Sequence, residues 1–249
     1  MRKFITALLT ATGFMVGLAA TSTNTSPAKP AAEIKATWKS SISAGVTLTR
    51  GNKSSTLLTA DFFTQKKTAF DEIMLGIGGA YGQQDSHDTV NNYKAHGQWN
   101  HFFSERSFGY LRAEGLQDRI KDIDYRLTIG PGVGYYLIKN TKTLLAAEAG
   151  IGFEAQRLGD VDENFATLRL ADRFEHKFGE RARLWQSVEI LPQADRLENF
   201  VVNLEIGLET AITKTLSQKT YLVETFANRP AAGRKKNDVK IVAGLAYKF

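Results

Sequence analysis

No cysteine occurs among the 249 residues. That excludes a disulfide framework, a thiol nucleophile, Cys-type zinc sites and a lipid-anchored N-terminal Cys. It also fits a compartment where a stray thiol would be oxidised. Histidine is scarce, with only His87, His96, His101 and His176 to act as bases. Beyond the N-terminal segment, no stretch reaches the ~18 apolar residues that a spanning helix needs. Mean hydropathy is −0.26, so by that measure the mature chain resembles a soluble protein. A transmembrane barrel gives the same average, because every second residue faces a polar interior. The formal charge is +6, from 32 Lys and Arg against 26 Asp and Glu. Two of the positives, Arg2 and Lys3, belong to the N-terminal segment, which leaves the rest mildly basic. No basic stripe with interleaved aromatics is present, so nucleic acid is not an expected partner.

What is present begins with Met1-Arg2-Lys3 and an apolar run from Phe4 to Ala20, closed by the small residues Gly17, Ala19 and Ala20. A positive start, a short apolar stretch and a small-residue exit describe a secretory signal peptide, residues 1–20. Thr6, Thr10, Thr12 and Gly13 dilute the run, which argues against a permanent membrane helix. Residues 21–37 are rich in Ser, Thr, Ala and Pro and read as a flexible leader.

From Trp38 to Phe249 the dominant period is two. Ile42, Ala44, Val46 and Leu48 alternate with Ser41, Ser43, Gly45 and Thr47; Leu145, Ala147, Ala149, Ile151 and Phe153 alternate with Glu148, Gly150, Gly152 and Glu154. In the next-to-last segment Tyr221, Val223, Thr225 and Ala227 oppose Glu224, which places the glutamate on the polar face. Asp172 interrupts the apolar series Leu168, Leu170, Phe174, Phe178 and predicts a β-bulge there. Helical spacing is nowhere sustained. The pattern predicts an all-β chain: one antiparallel transmembrane β-barrel, residues 38–249, of about twelve strands of roughly 9 to 14 residues each.

The connections suggest an orientation. Those at 66–70, 104–107, 139–142, 179–181 and 213–216 are tight, whereas those at 85–91, 158–164 and 228–237 read as longer. Short periplasmic turns and longer outer loops are the habit of this architecture. Gly51-Asn52 reads as a tight outer hairpin. Trp99, Phe103, Phe108, Tyr135, Tyr136, Phe178, Tyr247 and Phe249 fall near the tight-turn side, where aromatic rings favour the headgroup level.

Closure follows from the solvent. Lipid offers no hydrogen bonds, so an open sheet edge is not tolerated. Inward parity gathers charge of both signs at mid-strand: Arg112, Glu114, Arg126, Glu148, Glu154, Arg169, Arg173 and Glu205. Such a network lines either a narrow diffusion pore or a closed structural barrel, without catalysis. No connection looks long enough to fold inward as a plug. Gly130, Gly132, Gly134, Gly150 and Gly152 face inward by parity and predict one thin wall. A secreted soluble lipid-binding barrel, with its apolar face inward, is the alternative from another class.

The C-terminal stretch Ala243-Gly244-Leu245-Ala246-Tyr247-Lys248-Phe249 resembles the last strand of bacterial outer-membrane proteins. That resemblance implies location in the cell outer membrane, contact with outer-membrane lipid, and delivery by the barrel-assembly machinery, with Tyr247 and Phe249 as the assembly signal. From Trp38 on, the chain also resembles the YdiY-like family of salt-induced outer-membrane proteins, a domain of unknown function in the outer-membrane β-barrel superfamily. The matching residues are Trp38, Gly45, Thr49, Gly51, Asn52, Tyr81-Gly82, Asn92, Arg126, Gly130, Gly132 to Tyr135, Gly150, Gly152, Pro230, Gly233, Lys235-Lys236 and Asp238. The family implies a fold and a location but no catalytic set.

The enzymatic rival is an outer-membrane lipid hydrolase, which needs a Ser beside a His base at the lipid boundary. His101, outward by parity and close to Ser104 and Ser107, is the one arrangement with the right ingredients, but no nucleophile motif surrounds those serines. Gln84 to Asp88, around His87, could at most hold a cation weakly. Gly130 to Gly134 is not a phosphate loop, since no helix follows it. Neither a cofactor nor a metal site is expected.

Overall fold

The computed structural model describes residues 37–49 and 55–249. The signal segment, almost all of the leader and the Gly51-Asn52 turn lie outside the described residues. Twelve strands follow one another: β1 (Trp38–Thr49), β2 (Ser55–Lys67), β3 (Asp71–Gln84), β4 (His87–Phe102), β5 (Ser107–Asp118), β6 (Ile123–Lys139), β7 (Thr143–Leu158), β8 (Val161–Phe178), β9 (Ala182–Gln193), β10 (Arg196–Ala211), β11 (Leu216–Ala227) and β12 (Asn237–Lys248). Each pairs antiparallel with its sequence neighbour, and β1 pairs with β12, so the sheet closes on itself. The strands run 12 to 18 residues, longer than the alternation alone suggests, because several continue past the last apolar position.

The faces sort as a membrane barrel requires. Ile77, Val133, Ile151 and Ile241 point outward and are 60–63% exposed, while Glu72, Asn100, Glu148, Glu154 and Glu209 are buried inside. A soluble barrel would reverse this, since lipid-facing and lumen-facing residues alternate only where lipid replaces water outside.

Four expectations need correction. No bulge occurs at Asp172: it pairs in unbroken register with Ala147 and Val188. Its side chain therefore sits on the outer face between Leu170 and Phe174. In β11 the faces are the reverse of those expected, because Tyr221 pairs with inward Gly207 and Glu224 with outward Leu204. Glu224 faces out, and Tyr221 and Val223 face in. The connections at 85–91 and 158–164 are not long loops. Asp85-Ser86 and Gly159-Asp160 are tight hairpin tips, and polar residues such as His87, Asp88 and Asp162 extend the strands. Positive φ at Asp85 (48°), Ser86 (67°) and Gly159 (60°) is the backbone of a two-residue hairpin. Among the described residues only 228–236 form a long connection. Finally, Phe108 and Tyr136 turn inward and are 0% exposed, whereas Trp99, Phe103, Tyr135, Phe178, Tyr247 and Phe249 stand outward.

Candidate functional site: the lumen and its far mouth

We call the barrel end that carries Trp38 and Phe249 the terminal end, and the opposite one the far end. Period two brings a charged side chain to the interior on most strands, and the register decides which of them meet. Arg169 on β8 is the hub: Nε donates to Glu189 at 2.6 Å, and Nη1 to Glu148 at 2.8 Å and to the Tyr110 hydroxyl at 2.9 Å. Arg112 bonds Glu114 at 2.5 Å and Gln98 at 3.3 Å. Arg126 reaches Glu154 at 3.1 Å and donates twice to Gln156. The expected network is thus placed in the lumen in three ion-paired groups. Arg173 and Glu205 stand apart from them. Arg173 donates to the Tyr136 hydroxyl at 3.4 Å, and Glu205 accepts the Trp185 indole N–H at 2.7 Å.

Parity alone did not single out three further members. Glu189 completes the Arg169 clamp. Arg183 bridges Glu175 at 3.0 Å and Glu209 at 2.8 Å. Glu209 also receives the Ser217 hydroxyl and an ion pair from Lys248. Their parity was readable, but partners from strands distant in sequence were not. Buried ion pairs of this kind hold only while each carboxylate keeps its partner.

The wall expected to be thin is filled. Gly132 and Gly134 carry no side chains because the rings of Tyr110 and Phe108 lie flat against them, 2.2 and 2.1 Å from where a Cβ would stand. The Tyr110 hydroxyl lies 2.4 Å from the corresponding point on Gly150. Phe102, Phe108 and Tyr136 pack together, with centroids 5.3–6.4 Å apart. Lys67 and Lys139 lie over the Phe102 ring. The β5–β8 side of the lumen, with the terminal end of β4, is therefore occupied by rings and paired charges.

The opposite side is open. A cavity of about 180 Å³ is lined by Ser41, Ser43, Asp61, Lys94, Trp185 and Tyr221, among others. It lies among β1 to β4 and β9 to β11, where the inner residues of β1 are small.

At the far end, residues 228–236 do not enter the lumen but cross its mouth. Arg234 forms a bidentate pair with Asp122 at 2.7 and 2.8 Å, and Lys121 reaches Asp238 at 3.2 Å. Asp122 follows β5 and Arg234 follows β11, so the bridge spans the barrel. Length alone gave no sign of this contact across 112 positions.

The enzymatic ingredients do not assemble. His101 Nδ1 contacts Asp71 at 3.0 Å, and Ser104 and Ser107 bond each other at 2.7 Å. His87 Nδ1 contacts the Asp85 carbonyl, and no group of three or more potential metal ligands forms among the described residues. Tyr247 and Phe249 stack outside, with centroids 6.1 Å apart.

In fold the barrel is similar to the NanC porin, with a TM-score of 0.53 and 6% identity over 85% of this chain and 100% of that one. It is similar also to the KdgM porin, with a TM-score of 0.48 and 9% identity over 86% of this chain and 99% of that one. No curated protein matches in sequence. The family described as protein of unknown function, DUF481, matches residues 42–249, and the chain belongs to it.

Proposed function

We propose that the protein is an outer-membrane barrel with a narrow, passive channel for small solutes, its terminal end facing the periplasm. The observation that carries this reading is the uneven filling of the lumen. Rings and ion pairs occupy the β5–β8 side, and the open cavity lies along the side built from β1 to β4 and β9 to β11. The outward apolar band supports the lipid setting, and inward charge supports a watered interior. A twelve-stranded barrel encloses more space than an eight-stranded one, which side chains just fill, and less than a porin. A closed structural barrel is the second reading, favoured by the Arg234–Asp122 bridge across the mouth. On either reading the protein acts without catalysis, and the pairing of His101 with Asp71 and of Ser104 with Ser107 supports that over a lipid hydrolase.

The test is current across a planar bilayer holding the refolded mature barrel. Small, discrete conductance steps are expected. A silent membrane, with the barrel shown folded by its heat-dependent gel mobility, would leave the structural reading in its place.

A further inference from the structure

From the cavity on the open side of the lumen, we infer a binding site for a small zwitterion, a molecule of amino-acid size that carries both an ammonium and a carboxylate. The inference deepens the channel reading and rests on it for the route by which solute arrives.

The lining explains the choice of ligand. Asp61 and Glu205 supply carboxylates, Lys94 and Lys219 supply ammoniums, and all four line one cavity. Elsewhere in the lumen the structure joins many opposite charges directly, as in Arg169 with Glu148 and Glu189. Here it does not. Asp61 and Lys94 sit two strands apart, each paired with Gly78 between them. Gly78 has no side chain to fill the gap, and the Asp61 carboxylate lies over it, 2.1 Å from where a Cβ would stand. Among the described residues Asp61, Lys94 and Lys219 form no ion pair or hydrogen bond with one another. Lys219 pairs with Gly244 on one side and with Glu209 on the other, and the Glu209 carboxylate is taken by Arg183, Ser217 and Lys248. Glu205 spends one oxygen on the Trp185 indole N–H at 2.7 Å, and the other remains available.

Opposite charges set two strands apart, with no ion pair between them, are matched by a ligand presenting the reverse pair. An ammonium would sit between Asp61 and Glu205, and a carboxylate between Lys94 and Lys219. A neutral polyol would leave the charges unmatched, and a singly charged solute would match half of them. The aliphatic part would lie against Trp185 and Tyr221, whose rings are 6.3 Å apart at 44°. The indole itself is fixed, lying over Gly207 with Cζ2 2.3 Å from where a Cβ would stand. Size sets the upper limit: a cavity of about 150 Å³ holds benzene, so about 180 Å³ suits an amino acid such as valine.

The test is saturation-transfer NMR on the refolded full barrel in detergent micelles, with valine, isobutyrate and isobutylamine as probes. Transfer to valine is expected, with at least tenfold weaker binding of the two singly charged probes. Asp61→Asn combined with Lys94→Met should weaken valine binding by a similar factor, and Glu205→Gln alone should weaken it in the same direction. Each variant is first shown folded by its heat-dependent mobility, and either one suffices for the test. No transfer to valine, equal transfer to all three probes, or unchanged binding in a folded variant would overturn the site. Conductance is scored separately. A barrel that conducts without binding valine loses this site and keeps the channel, and one that binds valine but stays silent loses the channel.

Discussion

The N–H of Ser40 donates to the carbonyl of Phe249 at 3.0 Å, and the N–H of Phe249 donates back to the carbonyl of Ser40 at 3.0 Å. The last residue of the chain is thereby the first rung of the seam that closes the barrel. From there β1 and β12 pair through Ser41↔Lys248 to Gly45↔Gly244, a shorter ladder than the twelve rungs joining β1 to β2. At the final rung the two glycines abut, with Gly45 Cα 2.8 Å from where a Gly244 Cβ would stand. In lipid an unpaired edge has no water to turn to, so closure depends on a few rungs, of which Phe249 supplies two hydrogen bonds.

Deleting Phe249 should therefore lower the yield of folded barrel in the outer membrane while leaving export intact. Phe249→Ala keeps the backbone rung and removes the ring stacked on Tyr247, which separates the two contributions. If recognition of the ring governs assembly, the alanine variant should fall as far as the deletion. If the seam governs it, only the deletion should fall. Heat-dependent gel mobility of envelope fractions reads both. A full yield of folded protein from the deletion under strong expression would remove both roles from Phe249.

Much of the fold was legible because a barrel in lipid obeys one rule over its whole length. Period two from Trp38 to Phe249 marked twelve strands, and inward parity placed Arg112, Glu148 and Arg169 inside. What parity cannot give is which inward residues meet. Arg169 and Tyr110 are 59 positions apart, and only closure and strand stagger bring them together. The inner glycines misled for a related reason. A glycine shows the absence of a side chain, not whether a neighbour such as Tyr110 occupies the space. In β11 the alternation misled because Tyr221 and Val223 are apolar enough for lipid, although they line the interior. Glu224 was assigned to the interior by its charge.

Asp172, like Glu224, is a position where the rule is broken outright. It stands on the outer face near the middle of the series Phe178, Phe174, Leu170, Leu168, Ala166, paired laterally with Ala147 and Val188. A charge on the lipid face at mid-depth is unfavourable, less so for Asp than for the ~2–4 kcal/mol measured for Arg or Lys. Asp172→Leu should stabilise the folded barrel by about 1–2 kcal/mol. Urea titration in lipid vesicles would measure this, and a loss of stability would mean that Asp172 has a partner in the membrane.

The contact of Tyr110 with Gly132 predicts a coupled pair. A Cβ at residue 132 would lie 2.2 Å from Cζ of the ring, closer than any real contact. Gly132→Ala alone should cost about 1–3 kcal/mol, the usual range for overpacking. In combination with Tyr110→Ala the added cost should largely vanish, since contacting residues are not additive. Unfolding titrations of the four proteins in the cycle decide the point, and full additivity would show that the ring does not rest on Gly132.

Arg169 holds two carboxylates, Glu148 and Glu189, and all three side chains are largely buried. Removing one member of a buried pair costs about 3–5 kcal/mol, because the remaining charge is left without compensation. Arg169→Ala should destabilise the barrel by that order. It should also widen the lumen and leave two free carboxylates in it, shifting the reversal potential in a salt gradient toward cation preference. Arg173→Ala, which frees no carboxylate partner, should enlarge conductance with a smaller change of preference. Equal preference in the two variants would mean that ions do not pass near Glu148 and Glu189.

The bridge from Arg234 to Asp122 is of a different kind. Its side chains are 42% and 39% exposed, so water screens the pair even though its geometry is bidentate at 2.7 and 2.8 Å. An exposed pair is worth about 0–1 kcal/mol, little more than thermal energy. A contact of that strength does not by itself hold a mouth permanently shut, so the tip of the strap at 228–236, whose base is held by Asn228 and Arg229 on Glu198, is expected to leave it and return. The expected signature is a current that flickers between two levels in planar bilayers. Arg234→Ala should lengthen the higher level and leave its amplitude unchanged, because the substitution alters the strap and not the lumen. Raising the salt concentration should act in the same direction on the wild type, since screening weakens exposed pairs, and should have no such effect on the variant. Asp122→Asn keeps one acceptor for the guanidinium and should fall between the two. Identical dwell times in wild type and Arg234→Ala would place the strap outside the path of the ions.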